Sequence, residues 1–437
     1  MKLPRVALVL VLCMLPVVST AAFAQLPAPE SSFGSDSSRM VGYMPEWMIY
    51  SGFYPKQLVT NGSAKQLTHI LYAFANLPAP GSPGAGTCQL GDPWADYETP
   101  VSAEDSVDGV GDTNTNGLQG NFNQLLKLKK KYPNLRVLIS VGGWSWSSGF
   151  SAAASTDASR KAFVSSCIQT YIAGQFTDPL DYNVTQPGIF DGIDIDWEYP
   201  GACGNTCSYS PNDTENFTLL MQEFRRQLDA MSAKTHKQYD LSIAAPAGAD
   251  DYSLIQLAEV QKSLTFINLM TYDLNGAWNN YADHAAPLFT APNDPIAADK
   301  GNSMAGTVTA YRKAGVPAQK INAGIPFYGH GWVGVPAKNH GLYQPATGAA
   351  PDDQANYNVL ITLTGYKSYY DPLSGMAHWV YNASTQTFYS YDDPITVFTK
   401  GLYIRTEHLG GAMFWDITGD DTQGTLLHSV YAGLTGR

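Results

Sequence analysis

The 437-residue chain carries 26 Lys plus Arg against 38 Asp plus Glu, a formal net charge of −12. An acid excess of that size makes nucleic acids and anionic membrane surfaces poor partners. Only 15% of residues are charged while 12% are aromatic, a balance that suits stacking on flat, uncharged faces such as those of sugar rings.

The first stretch reads as a leader. Lys2 and Arg5 precede an apolar run from Val6 to Val18, and Ala22-Phe23-Ala24 forms a small-x-small cleavage pattern. Residues 1–24 are therefore expected to be a signal peptide, too short for a stable membrane span, cleaved near Ala24 from a secreted, extracellular protein. Leu12 before Cys13 argues against a lipoprotein site. Residues 25–38, rich in Pro and Ser, read as a linker, and no later apolar run is long enough to cross a bilayer. The catalytic domain is expected over 39–437.

From there, strand-like runs fall near 40–43, 67–75, 135–141, 189–197, 241–246, 265–272, 321–327 and 409–416. Amphipathic helical patterns fall near 119–131, 158–175, 213–232, 253–262, 303–314, 395–407 and 425–433. Caps are expected at Thr156 or Asp157, at Asn212 or Asp213, and at Ser303. Eight strands alternating with helices predict an α/β fold, a (β/α)8 TIM barrel. A doubly wound sheet is disfavoured because no Gly-rich nucleotide fingerprint follows the first strand. The connection between the seventh and eighth strands is far longer than a crossover helix needs. Its alternating pieces, His378-Trp379-Val380-Tyr381 and Thr387-Phe388-Tyr389-Ser390-Tyr391, predict a small α+β insertion over 330–392. Most of its many aromatics are expected to build its own core, with a minority facing a groove.

The most informative segment is FDGIDIDWEYP, residues 190–200. On a strand, the period of two sends Ile193, Ile195 and Trp197 to one face and Asp194, Asp196 and Glu198 to the other, with steps of about 6.6–7 Å. Like charges that close in a partly buried site cannot all ionise easily, so one proton is retained near neutral pH, as a general acid requires. A solvated edge strand would not bury Ile, Ile and Trp, and the run lacks the glycine of an EF-hand calcium loop. Glu198, last in the row, is nearest the C-terminal mouth where such barrels place their active sites. Asp191 is expected to brace the strand start.

Four cysteines follow the leader, allowing three pairings if all are bridged. Cys203 and Cys207 lie close together in a Gly-rich loop and are candidates for a local disulfide. No matching Cys or His pair supports zinc. Cys167, on an apolar helix face with Phe163, Val164 and Tyr171, is expected to be a buried thiol.

The segment DGIDIDWE resembles the DxxDxDxE signature of glycoside hydrolase family 18, the chitinases and their relatives. Ser140-Val141-Gly142-Gly143 resembles that family's SxGG motif, Met270-Thr271-Tyr272-Asp273 its MxYD motif, and Phe414-Trp415-Asp416 the strand that carries its floor tryptophan. Gly42-Tyr43 and Tyr72-Ala73-Phe74 fit its first two strands, and the aromatic insertion is similar to the chitinase insertion domain of bacterial-type members. The resemblance covers residues 40–434. It implies a retaining chitinase that hydrolyses β-1,4 bonds between N-acetylglucosamine units with substrate assistance. Glu198 would donate the proton, and Asp196 would orient the 2-acetamido group and share a proton with Asp194. Tyr272 would bond the acetamido oxygen, and Asp273 would contact the distorted sugar. Tyr43 and Ser140 would support the inner Asp pair. Trp415 would floor the site with Phe74 and Gly143 nearby and Met270 packed beneath, and Trp144 and Trp278 would be flanking platforms. Chitin and chitooligosaccharides would be the partners, with no metal or organic cofactor and a monomer as the default state. The alternatives are an endo-β-N-acetylglucosaminidase acting on N-glycans and a non-hydrolytic chitin-binding lectin.

Overall fold

The structure, a computed structural model, describes residues 38–113, 117–177, 183–296 and 301–437. The expected signal peptide, and all of the expected linker except Ser38, lie outside the described residues.

Eight parallel strands close into a barrel: Arg39–Pro45, His69–Ala75, Arg136–Gly142, Gly192–Asp196, Asp240–Pro246, Phe266–Met270, Ile321–Pro326 and Gly411–Trp415. The alternation along each strand divides its side chains between two environments. Ile193, Ile195 and Trp197 turn outward into the large apolar layer beneath the helices, where Trp197 stacks on Phe150 at 5.3 Å. Tyr43, Leu71, Leu138, Phe266 and Met413 turn inward and pack a smaller cluster in the barrel. Arg39 seats its guanidinium 5.1 Å over the Phe266 ring, and Arg136 and His69 pair with Asp240. Asp191 accepts the Val137 N–H at 2.9 Å and pairs with Lys129 at 2.7 Å, so it braces the strand start.

The seven expected helices are present, two of them with differences, and short helices at Lys56–Thr60, Phe150–Ala154 and Tyr357–Leu360 come in addition to those expected. The segment expected over 158–175 is helical at Asp157–Cys167, capped by a reciprocal Thr156–Ser159 box, and then widens into a π-turn over Ile168–Ile172. That turn carries the Tyr171 ring onto Phe190, and its hydroxyl onto the Gln89 carbonyl. The segment expected over 253–262 is split into Ala249–Tyr252 and Leu257–Ser263, with Gln256 between them accepting from the Thr218 hydroxyl. Ser303 caps Met304–Lys313 through the Gly306 N–H, whereas neither the Asn212 nor the Asp213 side chain caps Asp213–Thr235 as an N-cap.

Between the seventh and eighth strands lies a five-stranded antiparallel sheet built from Gly329–Val333, Gly348–Ala349, Lys367–Asp371, Ala377–Asn382 and Thr387–Tyr391. Trp332, Trp379, Tyr381 and Phe388 form its core. Asp392 and Lys400, both buried, pair at its junction with the helix Pro394–Thr406.

Cys203 and Cys207 are bridged, and so are Cys88 and Cys167. The second bridge corrects the expectation of a free thiol. The loop after the second strand folds back onto the helix Asp157–Cys167 and brings the two Cα atoms to 4.9 Å, a proximity between distant segments that helical periodicity does not encode. The bridge closes 79 residues of separation, so restriction of the unfolded chain is worth about 4–5 kcal/mol, against about 2 for the short Cys203–Cys207 loop. Replacing Cys88 and Cys167 by Ser is therefore expected to lower the thermal unfolding midpoint clearly more than replacing Cys203 and Cys207. Differential scanning calorimetry of both double variants checks this order.

Candidate active site

The fourth strand ends at Asp196, and Glu198 lies just beyond it at the barrel mouth. Parallel pairing sets Ser140 beside Asp194 and Asp194 beside Ser242 in register, so the three side chains share one layer inside the barrel. Asp194, fully buried, accepts from Tyr43 Oη at 2.8 Å, Ser140 Oγ at 2.8 Å, Ser242 Oγ at 2.6 Å and Asn268 Nδ2 at 3.4 Å. Asn268 in turn accepts from Asn322 at 2.9 Å. Burial raises the Asp194 pKa and these four donors oppose the rise.

Asp196 has no such donors. Its Oδ1 is buried without a hydrogen-bond partner, and burial, then Glu198, then Asp194 push its pKa well above the usual carboxylate range. Burial without a donor therefore favours the protonated form of Asp196. No hydrogen bond joins Asp194 to Asp196; the charge of Asp194 adds to the rise of the Asp196 pKa.

Glu198 is partly exposed in the groove, with its backbone N–H donating to Ser147 Oγ at 2.9 Å. Its pKa is pushed up to about 7, chiefly by burial, with Asp273 and Asp251 adding to the rise and a hydrogen bond from Tyr199 opposing it. Tyr272, a buried neutral phenol, offers its hydroxyl only the Met413 sulfur at 3.9 Å, so it is available to a ligand. Asp273 sits in the left-handed region at φ 53° and accepts from Tyr328 Oη at 2.6 Å.

These groups line an open groove of about 1100 Å³. Trp415 forms part of its floor, with Phe74 stacked 5.6 Å away and Tyr43 at 5.3 Å. Trp144 and Trp278 stand on the walls, 52% and 59% exposed, too open to be core residues. Met270 lines the groove and packs on the interior cluster. Ser140 and Gly143 lie beneath the groove surface. Ser140 is fully buried against Asp194. Gly143, at φ 78°, leaves room for the Phe74 ring, which a Cβ would meet at 2.6 Å, and donates its N–H to the Asp196 carbonyl at 2.8 Å. The glycine pair is needed for close approach, since Gly142 at φ 106° also faces that carbonyl.

Sequence reasoning missed Ser242 and Asn268. Their signal was present: Asn268 is the one polar residue of the strand Phe266–Met270, and Ser242 is polar amid the apolar run that follows Asp240. It also missed Trp47, Trp146, Asp251 and Tyr328 on the groove, and Glu46, whose pKa burial and Asp96 push to about 10. None of the insertion aromatics expected to face a groove lines it; the insertion contributes Gln354 and Asn356. No metal-binding group of three or more His, Cys, Asp or Glu occurs among the described residues.

Residues 39–420 match the family described as glycosyl hydrolases family 18. The chain is 37% identical to Chitinase A1 of Niallia circulans over 97% of its own length and 62% of that protein. It is 37% identical to Chitinase C of Streptomyces lividans over 90% of its length and 59% of that protein. It thus spans about three-fifths of each of these two relatives. The catalytic domain of the psychrophilic chitinase B from Arthrobacter TAD20 superposes with a TM-score of 0.84 at 37% identity, covering 92% of this chain and 97% of that one. On the closed barrel, the carboxylate row at its mouth and these matches, the chain belongs to the glycosyl hydrolases family 18.

Proposed function

We propose that the protein is a secreted retaining chitinase that hydrolyses β-1,4 bonds between N-acetylglucosamine units by substrate assistance. The observation that carries this reading is the pairing of Glu198, its pKa raised to about 7, with a buried Asp196 whose Oδ1 lacks a partner, beside a tryptophan-floored groove. Glu198 gives its proton to the glycosidic oxygen as the bond breaks. The carbonyl oxygen of the substrate's 2-acetamido group attacks the anomeric carbon, forming an oxazolinium ion. Asp196 orients the acetamido group and stabilises the charge on its nitrogen, and the Tyr272 hydroxyl donates to its oxygen. Asp194, held by four donors, fixes the strand beneath them. Water, deprotonated by the Glu198 carboxylate, then opens the ion with net retention. The similarity to chitinases and the open, aromatic-lined groove favour a linear chitin chain. Export is supported by the leader pattern of residues 1–24 and by two disulfides, which persist in oxidising compartments.

Product analysis on N-acetylglucosamine oligomers of four to six units, following the anomeric form with time, tests the reading. Short acetylated products released first as the β-anomer are expected. Release of the α-anomer, or binding without hydrolysis, would refute it.

The pH dependence follows from Glu198. Its pKa lies above the ordinary value of 4.5, so the proton needed for leaving-group departure is present below about pH 7 and lost above it. The expected result is a kcat/KM that declines about tenfold per unit on the alkaline side of an apparent pKa near 7. A profile flat to pH 9 would assign the proton to another group.

A further inference from the structure

The sheet inserted before the last barrel strand brings a histidine to the groove wall. His330 is 1% exposed and lies between two carboxylates from different parts of the chain. Its Nε2 is 2.7 Å from Asp273 Oδ1, on the loop after the sixth strand, and its Nδ1 is 3.0 Å from Asp353 Oδ1, in the insertion. Asp353 Oδ1 also accepts the N–H groups of Gly331 and Gln354 at 3.0 and 3.1 Å, which fixes the turn that presents Gln354 to the groove. Asp273 Oδ1 also accepts from Tyr328, and the His330 ring meets Trp278 edge-on at 5.0 Å. One buried ring thus touches the supports of Asp273, Trp278 and Gln354, three residues on the same wall.

We propose that His330 is a positioning residue, an imidazolium clamp that joins the insertion to the sixth-strand loop and sets the groove wall that grips the sugar chain. Both ring nitrogens face carboxylate oxygens, so both act as donors and the ring carries its charge. Burial alone would lower the His330 pKa, but hydrogen bonds and charge from Asp273 and Asp353 outweigh it and raise the pKa to about 9. The charged groups facing the ring are Asp273 from the barrel side and Asp353 from the insertion, with the Tyr328 phenol beside Asp273. The clamp is therefore closed across the range in which Glu198 works and opens only as pH rises past about 9. Glu198 governs turnover, whereas His330 governs binding.

The choice of ligand for the test rests on the chitinase reading. Binding of N-acetylglucosamine hexamer is measured by calorimetry from pH 6 to 10 in the Glu198→Gln background, where hydrolysis does not interfere. Affinity is expected to hold to about pH 8 and weaken severalfold above 9. Adding His330→Gln is expected to weaken binding about tenfold at pH 7, as loss of a charge-assisted hydrogen bond predicts, and to abolish the alkaline step. His330→Arg, which keeps the charge and can reach both carboxylates, is expected to restore affinity without the step. Affinity within twofold of the background for His330→Gln, with the step retained, would overturn the proposal. Nitrogen-15 NMR of the histidines in the unliganded protein supplies a readout independent of substrate. The resonance missing from His330→Gln is expected to titrate near pH 9, and a midpoint below 7 would also overturn it. Absence of any hexamer binding in the background would instead count against the chitinase reading, leaving the NMR result to decide on the clamp.

Discussion

Replacing Glu198 by glutamine is expected to lower kcat on chitin oligomers by a factor on the order of 10²–10⁴, while their dissociation constants change little. The amide keeps the shape and partly exposed position of the side chain at the mouth of the groove but carries no transferable acidic proton. The binding surface, made of Trp415, Phe74, Trp144 and Trp278, is untouched. A second consequence concerns the remaining carboxylates. Glu198 contributes to the raised pKa of Asp196, so the neutral amide leaves Asp196 easier to ionise. Stopped-flow turnover with an N-acetylglucosamine hexamer, set beside calorimetric binding of the same ligand, separates the two effects. Turnover within threefold of the unaltered protein would remove Glu198 from the role of proton donor, whatever the change in affinity.

Fully deacetylated chitosan is expected to bind in the groove and remain uncleaved. The two carboxyl groups that precede Glu198 on its strand are poor nucleophiles: Asp194 is sealed beneath four donors, and burial without a donor favours the protonated form of Asp196. Without the acetamido oxygen the reaction lacks its nucleophile, and retention through a protein ester is not open to these residues. Reducing-end release from chitosan of defined, vanishing acetyl content checks this. Release at a rate near that for the acetylated polymer would be incompatible with substrate assistance and would call for a carboxylate nucleophile. The two experiments are complementary, because the first removes the acid and the second removes the internal nucleophile.

Much of the site is written locally. The alternation in residues 190–200 places Asp194 and Asp196 inside the barrel and Ile193 and Ile195 outside it without reference to any other segment, because the side-chain period of a strand is a backbone property. The eight barrel strands follow for the same reason, each being a short apolar run between helical patterns. The less legible features depend on partners far along the chain. The Cys88–Cys167 bridge needs two segments 79 residues apart to meet. Ser242 and Asn268 become donors to Asp194 only through the register of three strands and the curvature of the closed sheet. Most of the insertion's aromatics build its own core as expected, but the minority expected to face a groove does not line it. A small sheet needs its own apolar core, and Trp332, Trp379, Tyr381 and Phe388 are consumed by it, leaving the wall to the unremarkable polar residues Gln354 and Asn356.

Identity of the acidic row, its strand, and its position at a barrel mouth are thus properties of the sequence by itself, because they rest on periodicity and on the order of elements. The state of each carboxyl group is a property of the tertiary structure. Asp194 and Asp196 are the same residue type two positions apart on one strand, yet one is met by four donors and the other by none. Protonation is decided by what surrounds a group and how far water is excluded from it, and those surroundings arrive from the first, third, fifth and sixth strands only when the barrel closes.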